Sequence, residues 1–193
     1  MEVNVKFAKV RPDAIIPSKR DEDMGFDIYA CFDEDYMVIN PHETKLIPTG
    51  IASACDPGYG FLLFERGSTG SKGIARRCGV IDSGYRNEWF IGLTNTTMDT
   101  LFITKLSTED TIKKFADDWS TNVHHAGNTA AELSLRLEAE FIAKHSIMYP
   151  YSKAIAQVLI APVPKVNREE ISYEDLKAIP SERGLGALGS SGK

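Results

Sequence analysis

Short apolar runs, none longer than a few residues and each closed by turn-forming residues, constrain this chain more than any other feature. Val3, Val5 and Phe7 alternate with Glu2, Asn4 and Lys6, the period of a half-buried strand. Similar runs recur at "MVIN", "TKLIPTGIAS", "GFLLFER", "WFIGLTN" and "AQVLIAPV", separated by "PHE", "CDPGYG" and "GSTGSKG". Short strands with regular turn punctuation predict an all-β sandwich or barrel and argue against alternating βαβ units.

One segment breaks this rhythm. "STEDTIKKFADDWSTN" offers Ser107 as a cap and places Ile112, Phe115 and Trp119 at helical spacing. In "NTAAELSLRLEAEFIAKHS", Leu133, Leu135, Leu137 and Phe141 alternate, yet the Ala, Glu, Leu and Arg content favours helix. Residues 104–150 are therefore expected to form an α-helical insertion. The end, 181–193, carries glycine at 184, 186, 189 and 192 without a strand signal, and is expected to be a mobile tail. The 193 residues fit one domain over 1–193.

Charge narrows the partners. With a formal net charge of −5 the chain is no general nucleic-acid binder, so phosphate chemistry must come from local Arg and Lys clusters. No run approaches signal-peptide or membrane-spanning length, which makes a cytoplasmic location, away from membranes, the expectation. Cys31, Cys55 and Cys78 are widely spaced and read as reduced thiols. His42, His124, His125 and His145 read as solvated loop residues.

Several polar positions need an explanation. Asp82 ends the apolar triplet of "GVID", where an acid is costly unless paired; Asp82-Ser83-Gly84 is also good turn chemistry. "ERGSTGSKG" gathers Arg66, Ser68, Thr69 and Lys72 with three glycines, a set able to converge on an anion or to form a tight hairpin loop; the Walker spacing is absent. Gln157 lies in an apolar strand and must bond to protein or to substrate. Asp27 in "DMGFDIYA" suits a salt bridge or the water shell of a phosphate-held magnesium ion. Arg183 with glycine and serine suits a flexible phosphate wrapper or a plain terminus.

Taken in order, "DMGFDIYA", "ERGSTGSKGI", "GVIDSGYRNEW", "AIAQV" and "SERGLGALGSSG" resemble the five motifs of the all-β homotrimeric dUTP diphosphatases, the dUTPases. The resemblance implies a mainly β, jelly-roll-like barrel or sandwich, with the insertion between motifs three and four, and a homotrimer whose sites draw on several subunits. It implies hydrolysis of dUTP to dUMP and diphosphate, with Asp82 activating the water that attacks the α-phosphorus and Mg2+ as cofactor. Tyr85 would pack under the deoxyribose and exclude a 2′-hydroxyl, and the backbone of Gly79, Val80, Ile81 and Asp82 would receive uracil. Arg66, Gly67, Ser68 and Lys72 would bind the phosphates with Gln157. Arg183, Leu188, Gly189 and Ser190 would close over the substrate, and Asp27 would reach magnesium through water.

The sequence departs from the family pattern in four places. Motif two reads Arg66-Gly67-Ser68 instead of Arg-Ser-Ser or Arg-Ser-Gly, and the interval from "KGI" to "GVID" is short. Leu188 stands where the tail usually carries an aromatic over uracil, so Trp89 or Phe90 is a candidate replacement ring. The insertion is the fourth departure, either packing on the trimer's flank or offering a protein partner a surface. Two other functions compete. A dUTP-binding regulatory protein would use the insertion. A dCTP deaminase would need a glutamate where Gly92 stands, although Glu88 is nearby.

Overall fold

The computed structural model describes residues 2–123, 137, 141–142, 144–182 and 184. The sequence reading treats 1–193 as one domain; the chain separates into two compact units, Met1–Val163 and Pro164–Lys193, each taken by itself.

The first unit is built from strands, as the period-two runs require. In chain order these are β1 (Val5–Lys9), β2 (Phe26–Ile28), β3 (Tyr36–Ile39), β4 (Thr44–Pro48), β5 (Ile51–Cys55) and β6 (Tyr59–Phe64). They continue with β7 (Ile74–Arg77), β8 (Val80–Asp82), β9 (Phe90–Asn95), β10 (Thr100–Thr104), β11 (Ser146–Pro150) and β12 (Ala156–Pro162). The sheets run β2-β12-β6-β8, β4-β9-β7, β11-β10-β3 and β1-β5. All these pairings are antiparallel except β10 with β11. The mainly β expectation therefore holds.

Pleating decides what each strand offers. In β8 Ile81 is buried while Val80 and Asp82 are exposed, because neighbouring side chains leave opposite faces of a strand. Strand β9 is different: Ile91 to Asn95 are all buried, the signature of a strand covered on both faces. The core joins the sheets through Phe61, Trp89, Ile91 and Leu93. Trp89 packs against Phe61 at 5.0 Å between centroids and against Phe7 at 5.9 Å, both edge-on. That geometry adds to simple area burial.

The expected insertion is trimmed at both ends. Thr104 closes β10, and Ser146–Pro150 are strand, not helix, because "SIMYP" pairs in parallel with β10 from Thr100↔Ser146 to Thr104↔Pro150. Helix α2 (Thr108–Val123) does form after β10. Ser107 caps its start, its hydroxyl accepting from Asp110 N–H at 3.1 Å. Phe115 meets Phe102 and Tyr36, Tyr36 Oη donates to Asp118 at 2.7 Å, and Lys114 pairs with Asp35 at 3.5 Å. Burial and the Asp118 carboxylate push the Tyr36 hydroxyl pKa upward. Most of the remaining insertion lies outside the described residues.

In the second unit the one described helix is Tyr173–Ala178, hereafter α3, capped by Ser172 accepting from Asp175 N–H at 3.1 Å. Arg183, Leu188, Gly189 and Ser190 lie outside the described residues. Among the described residues no helix is long and apolar enough to cross a membrane.

Candidate functional site

Strand β8 and the loop after it build one half of a site. The register sets Gly60 opposite Asp82, Phe61 opposite Ile81 and Leu62 opposite Val80, and Leu63 N–H donates to Gly79 C=O at 2.8 Å. Antiparallel pairs alternate, so Gly79 and Ile81 turn their backbone groups toward β6 while those of Val80 and Asp82 point away from it. Strand β8 is also the last of its sheet, leaving that outward edge open to a ligand. Asp82 C=O is used locally, accepting from Tyr85 N–H at 3.1 Å.

A cavity of about 330 Å³ opens here, a volume suited to a base and sugar. Val80, Ile81, Asp82, Tyr85 and Phe90 line it, and Leu46, Leu63, Cys78 and Trp89 complete it. Of the predicted group, Val80, Ile81, Asp82 and Tyr85 are thus brought together, while Gly79 does not line the cavity. Tyr85 is held by its hydroxyl, which donates to Glu88 C=O at 3.2 Å.

The two candidate rings differ sharply. Trp89 is 1% exposed and Phe90 44%. A ring wedged between Phe7 and Phe61 cannot swing over a base, so Trp89 is corrected from cover to cavity wall. Phe90 retains the freedom a cover needs.

The second half lies beyond the other end of β6. Arg66 follows it and caps a single helical turn, α1 (Gly67–Gly70), in which Thr69 is buried and its hydroxyl donates to Arg66 C=O at 3.0 Å. The glycine-rich stretch is therefore a compact turn. Ser68 and Lys72 are exposed. Arg66 Nε meets Asp27 Oδ1 at 2.9 Å, which realises the salt-bridge reading of Asp27. Lys72 lies 6.0 Å above the Tyr149 ring, so its ammonium and the Arg66 guanidinium have different partners.

Strand β12 completes this group. Gln157 pairs with Asp27 across β2, and its side-chain amide donates to Glu65 C=O at 2.7 Å, the protein partner that an in-strand glutamine needs. Gly25 lies against it, because a Cβ there would stand 2.9 Å from Gln157 Oε1. Glu65 accepts from Arg76 N–H at 3.0 Å. Hydrogen bonds from its own backbone N–H and from that of Arg76 lower its carboxyl pKa.

The halves are separated within one chain. Asp82 faces Gly60, and Arg66 lies past Phe64; those two positions on β6 alone are about 13 Å apart at the usual strand rise. Gly92 is buried with no room to grow, since a Cβ there would lie 3.2 Å from Arg77 Cβ and O. A carboxylate-bearing side chain there, as a deaminase would use, requires Arg77 to give way.

Sequence reasoning missed Leu46, Leu63 and Cys78 as cavity residues. Leu46 and Leu63 belong to strands of different sheets and nothing local marks them. Nothing local marks Cys78 either: its φ of +57, rare for a non-glycine residue, is visible only in the fold.

The chain as a whole is similar to known proteins. A dUTPase family model matches residues 11–107. The deoxyuridine 5′-triphosphate nucleotidohydrolase of Neisseria meningitidis serogroup A is 34% identical over 104 residues, which cover 51% of this chain and 69% of that relative. The one from Nautilia profundicola is 28% identical over 199 residues, covering 99% of this chain and 100% of the relative. In fold, the chain is similar to Staphylococcus bacteriophage 80alpha dUTPase, with TM-score 0.61, 20% identity and coverage of 97% and 98%. It is likewise similar to EIAV dUTPase, with TM-score 0.54, 18% identity and coverage of 88% and 98%. With half its length matching that model and a relative 34% identical over 69% of its own length, the chain belongs to the dUTPase family.

Proposed function

We propose that this protein hydrolyses dUTP to dUMP and diphosphate. The observation that carries this reading is the cavity in which Asp82 and Tyr85 converge with the open edge of β8. Val80 N–H and C=O, with Asp82 N–H, supply donors and an acceptor for the pairing edge of uracil. The Tyr85 ring lies under the deoxyribose and rejects a 2′-hydroxyl. Phe90 covers the base in place of an aromatic at Leu188.

In the reaction, Asp82 takes a proton from water as the water oxygen bonds to the α-phosphorus. The bond from that phosphorus to the bridging oxygen breaks, and diphosphate leaves. Arg66 holds the α- and β-phosphates, supported by Gly67 and Ser68, and Lys72 adds positive charge nearby. Gln157 orients the α-phosphate, and Arg183 with the Gly189-Ser190 backbone closes over the γ-phosphate.

Magnesium fits the donor chemistry. Asp27 is a half-buried hard-oxygen donor beside Arg66, and among the described residues no cluster of three or more His, Cys, Asp or Glu forms a cage. A single carboxylate acting through water suits an ion held mainly by substrate phosphates. When bound, the ion offsets phosphate charge.

A homotrimer and a cytoplasmic location complete the reading. The separation of Asp82 from Arg66 along β6 supports a site shared between subunits. Helix α2 turns its described contacts inward, to Tyr36, Phe102 and Asp35, which favours packing over partner recruitment. The test is diphosphate release from dUTP, dCTP, UTP and dTTP with magnesium. Turnover should be selective for dUTP and fall at least about a hundredfold in Asp82→Asn. Tight dUTP binding by the unaltered protein without turnover would transfer the case to a regulatory role.

A further inference from the structure

The loop between β8 and β9 carries Tyr85, yet packing does little to hold it: Gly84, Tyr85, Arg86 and Asn87 are all exposed. Its position must come from polar contacts. The main chain supplies some, Tyr85 N–H donating to Asp82 C=O at 3.1 Å and Trp89 N–H to Ile51 C=O at 2.8 Å, and two side chains supply the rest. Arg86 donates to Ser83 C=O, Tyr85 C=O and, across to β5, Ser53 C=O at 3.3 Å. Glu88 accepts from Gly50 N–H at 2.8 Å, and its carboxylate lies 3.5 Å from Arg11 Nε.

The Glu88 contact is the more constrained. Its side chain is 14% exposed, and the same Oε1 receives both partners. Gly50 has φ +66, and a Cβ there would stand 2.7 Å from Ala14 Cβ, so this N–H is presented by a closely packed left-handed turn that requires glycine. Tyr85 in turn donates to the main-chain carbonyl of the residue so anchored. A line of contacts therefore runs from Arg11 and Gly50 through Glu88 to the Tyr85 ring.

We infer that Glu88 is a positioning residue for sugar discrimination: by fixing the carbonyl that Tyr85 Oη engages, it holds the ring rigidly enough to exclude a ribose 2′-hydroxyl. This rests on the dUTP reading above and goes beyond it by placing part of the selectivity in a residue outside the cavity. Without the anchor the core is intact, but the loop and ring can yield to the larger sugar.

The experiment measures kcat/KM for dUTP and for UTP in the unaltered protein, Tyr85→Phe, Glu88→Ala and Glu88→Gln. Losing a hydrogen bond to a charged group should cut the dUTP-to-UTP ratio about tenfold in Glu88→Ala, and Tyr85→Phe should match it. Glu88→Gln, whose amide oxygen still accepts from Gly50 N–H, should stay within about threefold of the unaltered ratio. A merely structural role would lower both substrates together and leave the ratio fixed, which overturns the inference. Should Glu88→Ala fail to fold, Glu88→Asp decides, since its shorter side chain draws the carboxylate away from Gly50 N–H and should lower the ratio in the same direction. An unaltered protein that turns over neither nucleotide overturns the dUTP reading and this inference with it; an active one with unchanged ratios overturns the inference alone.

Discussion

Residues adjacent in sequence can have opposite duties, and Trp89 and Phe90 show how. Phe90 begins β9 with its ring facing solvent, whereas Trp89, one position earlier, is sealed against Phe7 and Phe61. Truncation should separate the two roles. Trp89→Ala removes a fully buried indole and should cost about 3–5 kcal/mol of stability. Phe90→Ala should leave the denaturation midpoint nearly unchanged while raising KM for dUTP several-fold, because stacking on a base is worth about 1–3 kcal/mol. Denaturant melts and steady-state kinetics on the two variants check this. Phe90→Ala with unaltered KM would remove it as the cover. In sequence the pair was indistinguishable: "EWF" marks an apolar strand start, but which ring faces inward depends on how β9 sits against β4 and the core.

At the scale of elements, legibility tracked the range of the interactions. The alternation in "VKFAK" and the capped start of α2 are local, and both were readable. Strand β11 was not, since "SIMYP" becomes strand by pairing with β10, more than forty residues earlier. The motif residues Asp82 and Tyr85 were legible because their order along the chain is distinctive; the walls Leu46 and Leu63 were not, because the cavity forms only when separate sheets meet. The turn after β6 lay between these cases. Its glycines allowed an anion-binding set or a tight hairpin loop; in the fold Thr69 closes it into the compact turn α1 and Glu65 ties it to β7. That tie is pH-dependent. Glu65 has a lowered folded-state pKa, so its contribution is fully present above its ordinary value of 4.5 and is lost as pH falls through the lower folded value. Glu65→Gln should therefore destabilise at neutral pH, with the gap to the unaltered protein closing below pH 4.5. Urea midpoints across that range test the sign; a gap that widens in acid would refute it.

For the proposed reaction, the molecule as a whole poses a geometric problem. Asp82 and Tyr85 lie by the start of β6, whereas Arg66, Asp27 and Gln157 gather past its end. A triphosphate extends several ångströms from its base, but both groups sit on one rigid sheet whose spacing cannot contract. Rotational symmetry offers a solution, because a heterologous interface can set the end of β6 in one subunit beside β8 of the next. Such a site needs Asp82 from one chain and Arg66 from another, and mixing makes this measurable. Asp82→Asn and Arg66→Ala should each be nearly inactive alone. After unfolding and refolding an equal mixture, a site drawing on two chains is intact whenever Asp82 comes from the Arg66→Ala chain and Arg66 from the Asp82→Asn chain. Random assembly yields that combination in about a quarter of sites, so activity should recover to about a quarter of the unaltered level. A site contained in one chain has no intact combination in the mixture, and activity that stays at background would return Asp82 and Arg66 to a single subunit.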